Sequence, residues 1–161
     1  MTRTHRRALI TGIVLLATTL PACPSPSWAA PAQWRPRPAD LIQEVNRRRA
    51  GAGCRPVRLR VSLSRAAQRH STDMSRHKRL SHTGSDGSRP PGRMRAAGFR
   101  AGPTGEVIGS GPDTARAAVR MWLRSPSHRT VVLTCRYTDA GVGVARGPGG
   151  PWWTLDLAAR R

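Results

Sequence analysis

The stretch Ser62-Leu63-Ser64-Arg65-Ala66-Ala67-Gln68-Arg69-His70-Ser71-Thr72-Asp73-Met74-Ser75-Arg76-His77 decides the fold. Leu63, Ala66, Ala67, His70, Met74 and His77 recur at i, i+3, i+4, i+7, i+11 and i+14, one continuous stripe of a helix. Ser62 is the expected cap. On that stripe His70 is therefore expected to face inward. His70 and His77 on it read as core or rim histidines rather than ligands.

Upstream, Asp40 can cap a helix with Leu41, Ile42 and Val45 on one face, ended by Gly51 or Gly53. Downstream, 80–89 reads as loop, and Pro90-Pro91 opens a short helix through Met94 and Ala97 that Gly98 stops. The Gly-rich run Gly102 to Gly111 interrupts the periodicity. Asp113 can then cap a helix bearing Ala115, Ala118, Val119 and Trp122, ended at Ser125-Pro126, and Ser127 can cap one or two turns with His128, Val131 and Val132. The period changes at the C-terminus. Gly141-Val142-Gly143-Val144 and Trp153-Thr154-Leu155-Asp156-Leu157 read as strands joined across Gly147-Pro148-Gly149-Gly150. Helices followed by a hairpin define an α+β class, with helices packed on a small antiparallel sheet and Trp122 and Trp153 in the core.

At roughly 150 residues per domain, a chain of 161 residues holds one domain and a targeting segment, not a multidomain enzyme. Its 28 Lys+Arg against 8 Asp+Glu give a formal charge of +20. All but Lys78 of those basic residues are arginine. One Tyr and one Phe argue against an aromatic platform for single-stranded nucleic acid, and no nucleic-acid motif is present. The arginines are spread along the sequence, so the surface as a whole is basic and attracts polyanions.

The N-terminus reads as an address. Arg3, Arg6 and Arg7 precede an apolar stretch from Ala8 to Leu20, too short to span a bilayer. Ser27-Trp28-Ala29 offers a cleavage site, giving a signal peptide over 1–29, a Pro-rich linker over 30–39 and a domain over 40–161. Cleavage leaves 25 Lys+Arg against 8 Asp+Glu, +17. An alternative is open: Leu20-Pro21-Ala22-Cys23 resembles a lipobox, which would anchor the chain through a lipid on Cys23. For an exported chain the other two cysteines, Cys54 and Cys135, are expected to form a disulfide closing a loop of about 80 residues, worth roughly 4 kcal/mol. Two buried free thiols are the alternative.

Seven signals now stand in order: Val45-Asn46-Arg47 with Gly51; Ala66 through Met74; Leu80-Ser81-His82; Gly105-Glu106; Trp122; Ser125-Pro126-Ser127-His128-Arg129; and Gly141-Val142-Gly143. Together they resemble the bacterial branch of the CAP superfamily, the secreted cysteine-rich, antigen and pathogenesis-related domains, from about Asp40 to Leu157. The resemblance implies an α–β–α sandwich with a shallow cleft where two His and two acids gather and bind a divalent metal, often zinc. His82 matches the first cleft histidine, Glu106 the glutamate of the Gly-Glu-Asn motif and His128 the second histidine. The family's Asn is Val107 here, and the second glutamate has no counterpart, since Ser125 stands near its place.

Two imidazoles beside a carboxylate suit Zn²⁺, and two histidines alone make a weak, exchangeable site. The other reading of His82, His128 and Glu106 is a hydrogen-bonded group without metal. Ser81-His82 and Ser127-His128 are adjacent only along the chain, and no GxSxG, HExxH or Cys–His pattern is present. A binding module at the cell envelope or outside it is therefore the leading expectation, with a metal-dependent hydrolase using the same cleft as runner-up. A surface binder of cell-wall polyanions or anionic lipid is a third, and the family resemblance adds sterol.

Overall fold

A computed structural model describes residues 37–160. The signal peptide, the Cys23 lipobox and most of the Pro-rich linker lie outside the described residues. Helix α1 (Pro38–Ala50) starts on two residues of the expected linker, because Pro at N1 is pre-set for the helical φ and has no N–H to lose. Asp40 sits in its first turn rather than at its cap. Strand β1 (Arg58–Leu59) is followed by α2 (Val61–His77), which starts one residue before the expected Ser62 cap. Helix α3 (Pro90–Ala96) ends before Gly98, whose φ is +88°.

The Gly-rich run is a correction to the sequence reading: Ala101–Ser110 is a ten-residue strand, β2. It lies at a sheet edge, where Pro103 needs no ladder partner, and its pairing slips between Ala101 and Thr104. Its glycines leave room for neighbours. A Cβ on Gly105 would press on Val131 and the Tyr137 hydroxyl, and one on Gly109 would strike Met121. Helix α4 (Ala115–Arg124) is capped by Thr114, not Asp113, through a 3.1 Å bond from Ala117 N–H. Helix α5 (Pro126–Val132) has Ser125, not Ser127, at its N-cap. The expected hairpin is β3 (Asp139–Ala145) and β4 (Trp152–Arg160).

The four strands form one sheet in the order β1-β3-β4-β2; β1 runs parallel to β3 and the remaining pairs are antiparallel, so the sheet is mixed. Alternation along the strands splits the side chains between two helical layers. Val107, Val142, Trp153, Leu155 and Leu157 meet α1, α4 and α5 in the main core. On the opposite face Ala158 packs with Leu63 and Met94, and Trp152 with Met74. The fold is α+β with helices on both faces. Trp122 and Trp153 are fully buried, and their indole N–H groups donate to Ile108 O and Pro112 O, each at 2.8 Å.

Helix α2 can sit on the hairpin because β3 carries no side chain beneath it at two positions. A Cβ on Gly141 would collide with the Leu63–Ser64 backbone, and one on Gly143 with Ala67 and Gln68. The fit is locked by polar contacts. Gln68 donates to Val144 O at 2.9 Å and accepts from Val144 N–H at 3.0 Å, and Ser71 meets Thr154 at 2.9 Å.

The Cys54–Cys135 disulfide is present, with Cα atoms 4.8 Å apart, inside the usual bridging range. Beside it the fully buried Arg49 guanidinium donates to four carbonyls, those of Val132 and Tyr137 (2.9 Å), Thr134 (3.0 Å) and Arg55 (3.3 Å). The end of α1 is thereby fastened to 132–137 twice, covalently and by hydrogen bonds.

Candidate functional site

Strand β2 turns Glu106 toward the α2 layer, where it is buried at 8% exposure. The loop leaving α2 brings His82 over it. His82 Nδ1 lies 2.7 Å from Glu106 Oε1, and because a carboxylate only accepts, the ring proton sits on Nδ1. That leaves Nε2 of a half-exposed side chain with its lone pair outward. Glu106 Oε2 accepts from Arg93 at 2.5 Å. Arg93, on α3, also donates to the carbonyls of His82 (3.0 Å) and Ser88 (2.8 Å), so one guanidinium fixes both the carboxylate and the loop bearing the histidine. The same loop is tied to α2 by Asp73, which accepts from the backbone N–H and hydroxyl of Ser85 at 2.9 and 2.5 Å.

Burial alone would raise the Glu106 carboxyl, but the His82 hydrogen bond and the charge of Arg93 overcome it and hold it below the ordinary range. Glu106 is ionised. Directly opposite it across the β2–β4 ladder stands Asp156, fully buried, with no donor reaching either oxygen, so that only its protonated form, donating to Glu106, finds a partner. Burial first, and then the negative charge of Glu106, push the Asp156 carboxyl well above its ordinary range. One acid is charged and its neighbour is kept neutral, the usual outcome for two carboxyls sharing a low-dielectric site.

His70 faces inward from α2, as its place on the stripe predicts, and its Nε2 donates to Ser81 O at 2.9 Å. Burial, the largest influence, holds its pKa below the usual histidine range although Glu106 Oε1 is only 3.9 Å away. It is a neutral positioning residue for the loop. His77 is exposed at the rim, 3.1 Å from Asp73. His128, on α5, is half-buried, and its pKa is lowered first by burial and then by repulsion from the His82 ring when that ring is protonated. The two histidines are thus within electrostatic reach of each other.

His82 and Glu106 meet directly; Arg93 and Asp156 join them without having been singled out in the sequence. Arg93 is one of many arginines, and only strand register pairs Asp156 with Glu106. For a metal, the donors present are two imidazoles. Glu106 has both oxygens engaged and serves as the carboxylate that orients His82, an arrangement common behind metal-bound histidines. Among the described residues no group of three or more His, Cys, Asp or Glu side chains is arranged to hold a metal ion. The donors fit at most a two-histidine, water-completed ion.

A four-stranded mixed sheet between helical layers is the fold of solved SCP-domain structures. The cysteine-rich secretory protein family, CAP, matches residues 42–157, and the chain belongs to it. Protein YkwD of Bacillus subtilis is 27% identical over 120 residues, covering 74% of this chain and 46% of that protein. An extracellular SCP-domain protein from Bacillus anthracis superposes with a TM-score of 0.71 at 22% identity, covering 77% of this chain and 40% of the other. An outer surface protein of Borrelia burgdorferi superposes at 0.69 and 19% identity, covering 75% and 90%. The chain spans less than half the length of both Bacillus relatives. Among the described residues no helix is long and apolar enough to cross a membrane.

Proposed function

We propose that the protein is exported and acts at the cell envelope or outside it as a binding module, with His82, Glu106 and His128 forming its ligand cleft. One observation carries this reading: Glu106, anchored by Arg93, engages Nδ1 of His82 and leaves Nε2 of that half-exposed side chain to meet a ligand. Such an imidazole accepts a hydrogen bond from a ligand or joins His128 in holding a weak, exchangeable zinc ion. The ion when bound would polarise a ligand oxygen. The relatives described as extracellular or outer-surface proteins support export.

Binding is favoured over hydrolysis by the state of the acids. Hydrolysis with a carboxylate as general base is disfavoured, because Glu106 has both oxygens engaged and Asp156 is sealed beneath it. Calorimetric titration with zinc tests the cleft. Wild type is expected to bind weakly, on the order of micromolar or looser, with affinity falling as acid protonates the imidazole ligands. His82→Ala and His128→Ala should each abolish it. Unchanged binding in the double variant, or none by wild type, would remove zinc from the reading.

A further inference from the structure

Between the C-terminal end of α1 and the α4–α5 corner lies a groove of about 450 Å³, on which five arginines converge: Arg47, Arg48, Arg120, Arg124 and Arg129. All five side chains are exposed. The one carboxylate among them, buried Glu44, is already shared between Arg47 and Arg48. Arg120, Arg124 and Arg129 have no carboxylate partner among the described residues. Three guanidinium charges therefore stand uncompensated in one concave place, although the arginines are scattered along the sequence.

Arg120 and Arg124 stand four positions apart on α4 and are both exposed, a step of about 6 Å at 1.5 Å per residue, and exposed Arg129 extends the charge onto α5. That step is on the order of the separation between successive phosphates of an extended chain. Leu123 and Leu133 form an apolar floor against which guanidinium stems and a ligand backbone can lie. Planar guanidinium groups grip phosphate bidentately. A flat anionic membrane is a poorer match, because among the described residues the exposed large hydrophobic ones, Leu59, Val61 and Leu80, belong to β1, α2 and the loop after it, not to the groove.

We propose that this groove is a binding site for a linear phosphodiester polymer, laid along α4 with its phosphates on Arg120, Arg124 and Arg129. The groove is not lined by His82, Glu106 or His128, although Arg129 adjoins His128 on α5. The test measures binding of a fluorescent poly(glycerol phosphate) oligomer across a salt series. Its variants are Arg120→Gln/Arg124→Gln/Arg129→Gln and, with the same loss of charge on the α2–α3 side, Arg76→Gln/Arg95→Gln/Arg100→Gln.

The groove variant should lose at least about tenfold in affinity, and its slope of log K against log salt should flatten by about 2, from three lost contacts at roughly 0.7 each. The α2–α3 variant should lose no more than about threefold. Arg120→Lys/Arg124→Lys/Arg129→Lys should keep the salt slope and lose affinity several-fold, because charge remains while the bidentate grip is gone. His82→Ala/His128→Ala should bind as wild type does. Equal weakening by the two Gln variants, an unchanged groove variant, or tighter binding to anionic phosphatidylglycerol vesicles than to the polymer would overturn the proposal.

Discussion

Asp156 is the residue whose behaviour depends most on its surroundings. Facing Glu106 across two strands, it is held neutral by burial, by its neighbour's charge and by the hydrogen bond its protonated form makes to Glu106. Its folded pKa is raised, so the folded chain keeps a proton that the unfolded chain releases above the ordinary Asp value of about 3.9. Stability is lost as pH rises from that value toward the folded pKa. Asp156→Asn, an isostere that stays neutral and can donate to Glu106, is expected to raise the urea midpoint at pH 7.5 and to have little effect near pH 3.5. A shift of the same size at both pH values would contradict the neutral-acid account. In the sequence Asp156 is one polar residue in an alternating strand, and the partner that gives it this property lies 50 positions earlier. Glu106 and His82 were legible because their local motifs identify them, whereas Arg93 and Asp156 acquire their roles only from the packing of α3 and the register of β4.

At the scale of elements, α2 lies so close on β3 that Gly141 and Gly143 have no room for a Cβ. The stripe through Leu63, Ala67 and Met74 gave the helix, and Gly141 and Gly143 are the complementary flat surface. Gly143→Ala should cost about 3 kcal/mol or more, since the new methyl meets Ala67 backbone rather than a side chain that can swing away. Urea unfolding followed by tryptophan fluorescence would measure it, and a loss below about 1 kcal/mol would mean that α2 slides freely on the sheet. Strand β2 shows the opposite case. Its Gly-Pro-Thr-Gly composition reads as loop because local propensity disfavours a strand there; pairing along β4 and the need for small residues under Met121, Val131 and Tyr137 override it.

For the whole molecule, the distant connections were the least legible. A two-residue strand such as β1 has too little pattern to detect, and its parallel partner β3 lies about 80 residues away. The cysteine pair was the exception, because in an exported chain two cysteines leave one pairing. Beside that bond, Arg49 ties α1 to the same 132–137 segment through carbonyls, so the two fastenings share their load. Cys54→Ser/Cys135→Ser is expected to cost roughly 4 kcal/mol. Arg49→Met, which strands buried carbonyl acceptors, is expected to cost about 2–4 kcal/mol. Once the disulfide is gone the segment can shift and hydrate those carbonyls, so the combined variant should lose less than the two costs added, with a coupling of about 1 kcal/mol. Urea unfolding of the four proteins in the cycle measures that coupling. Costs that add to within about 0.3 kcal/mol would mean that the disulfide and Arg49 secure α1 independently, each holding its own part of the segment.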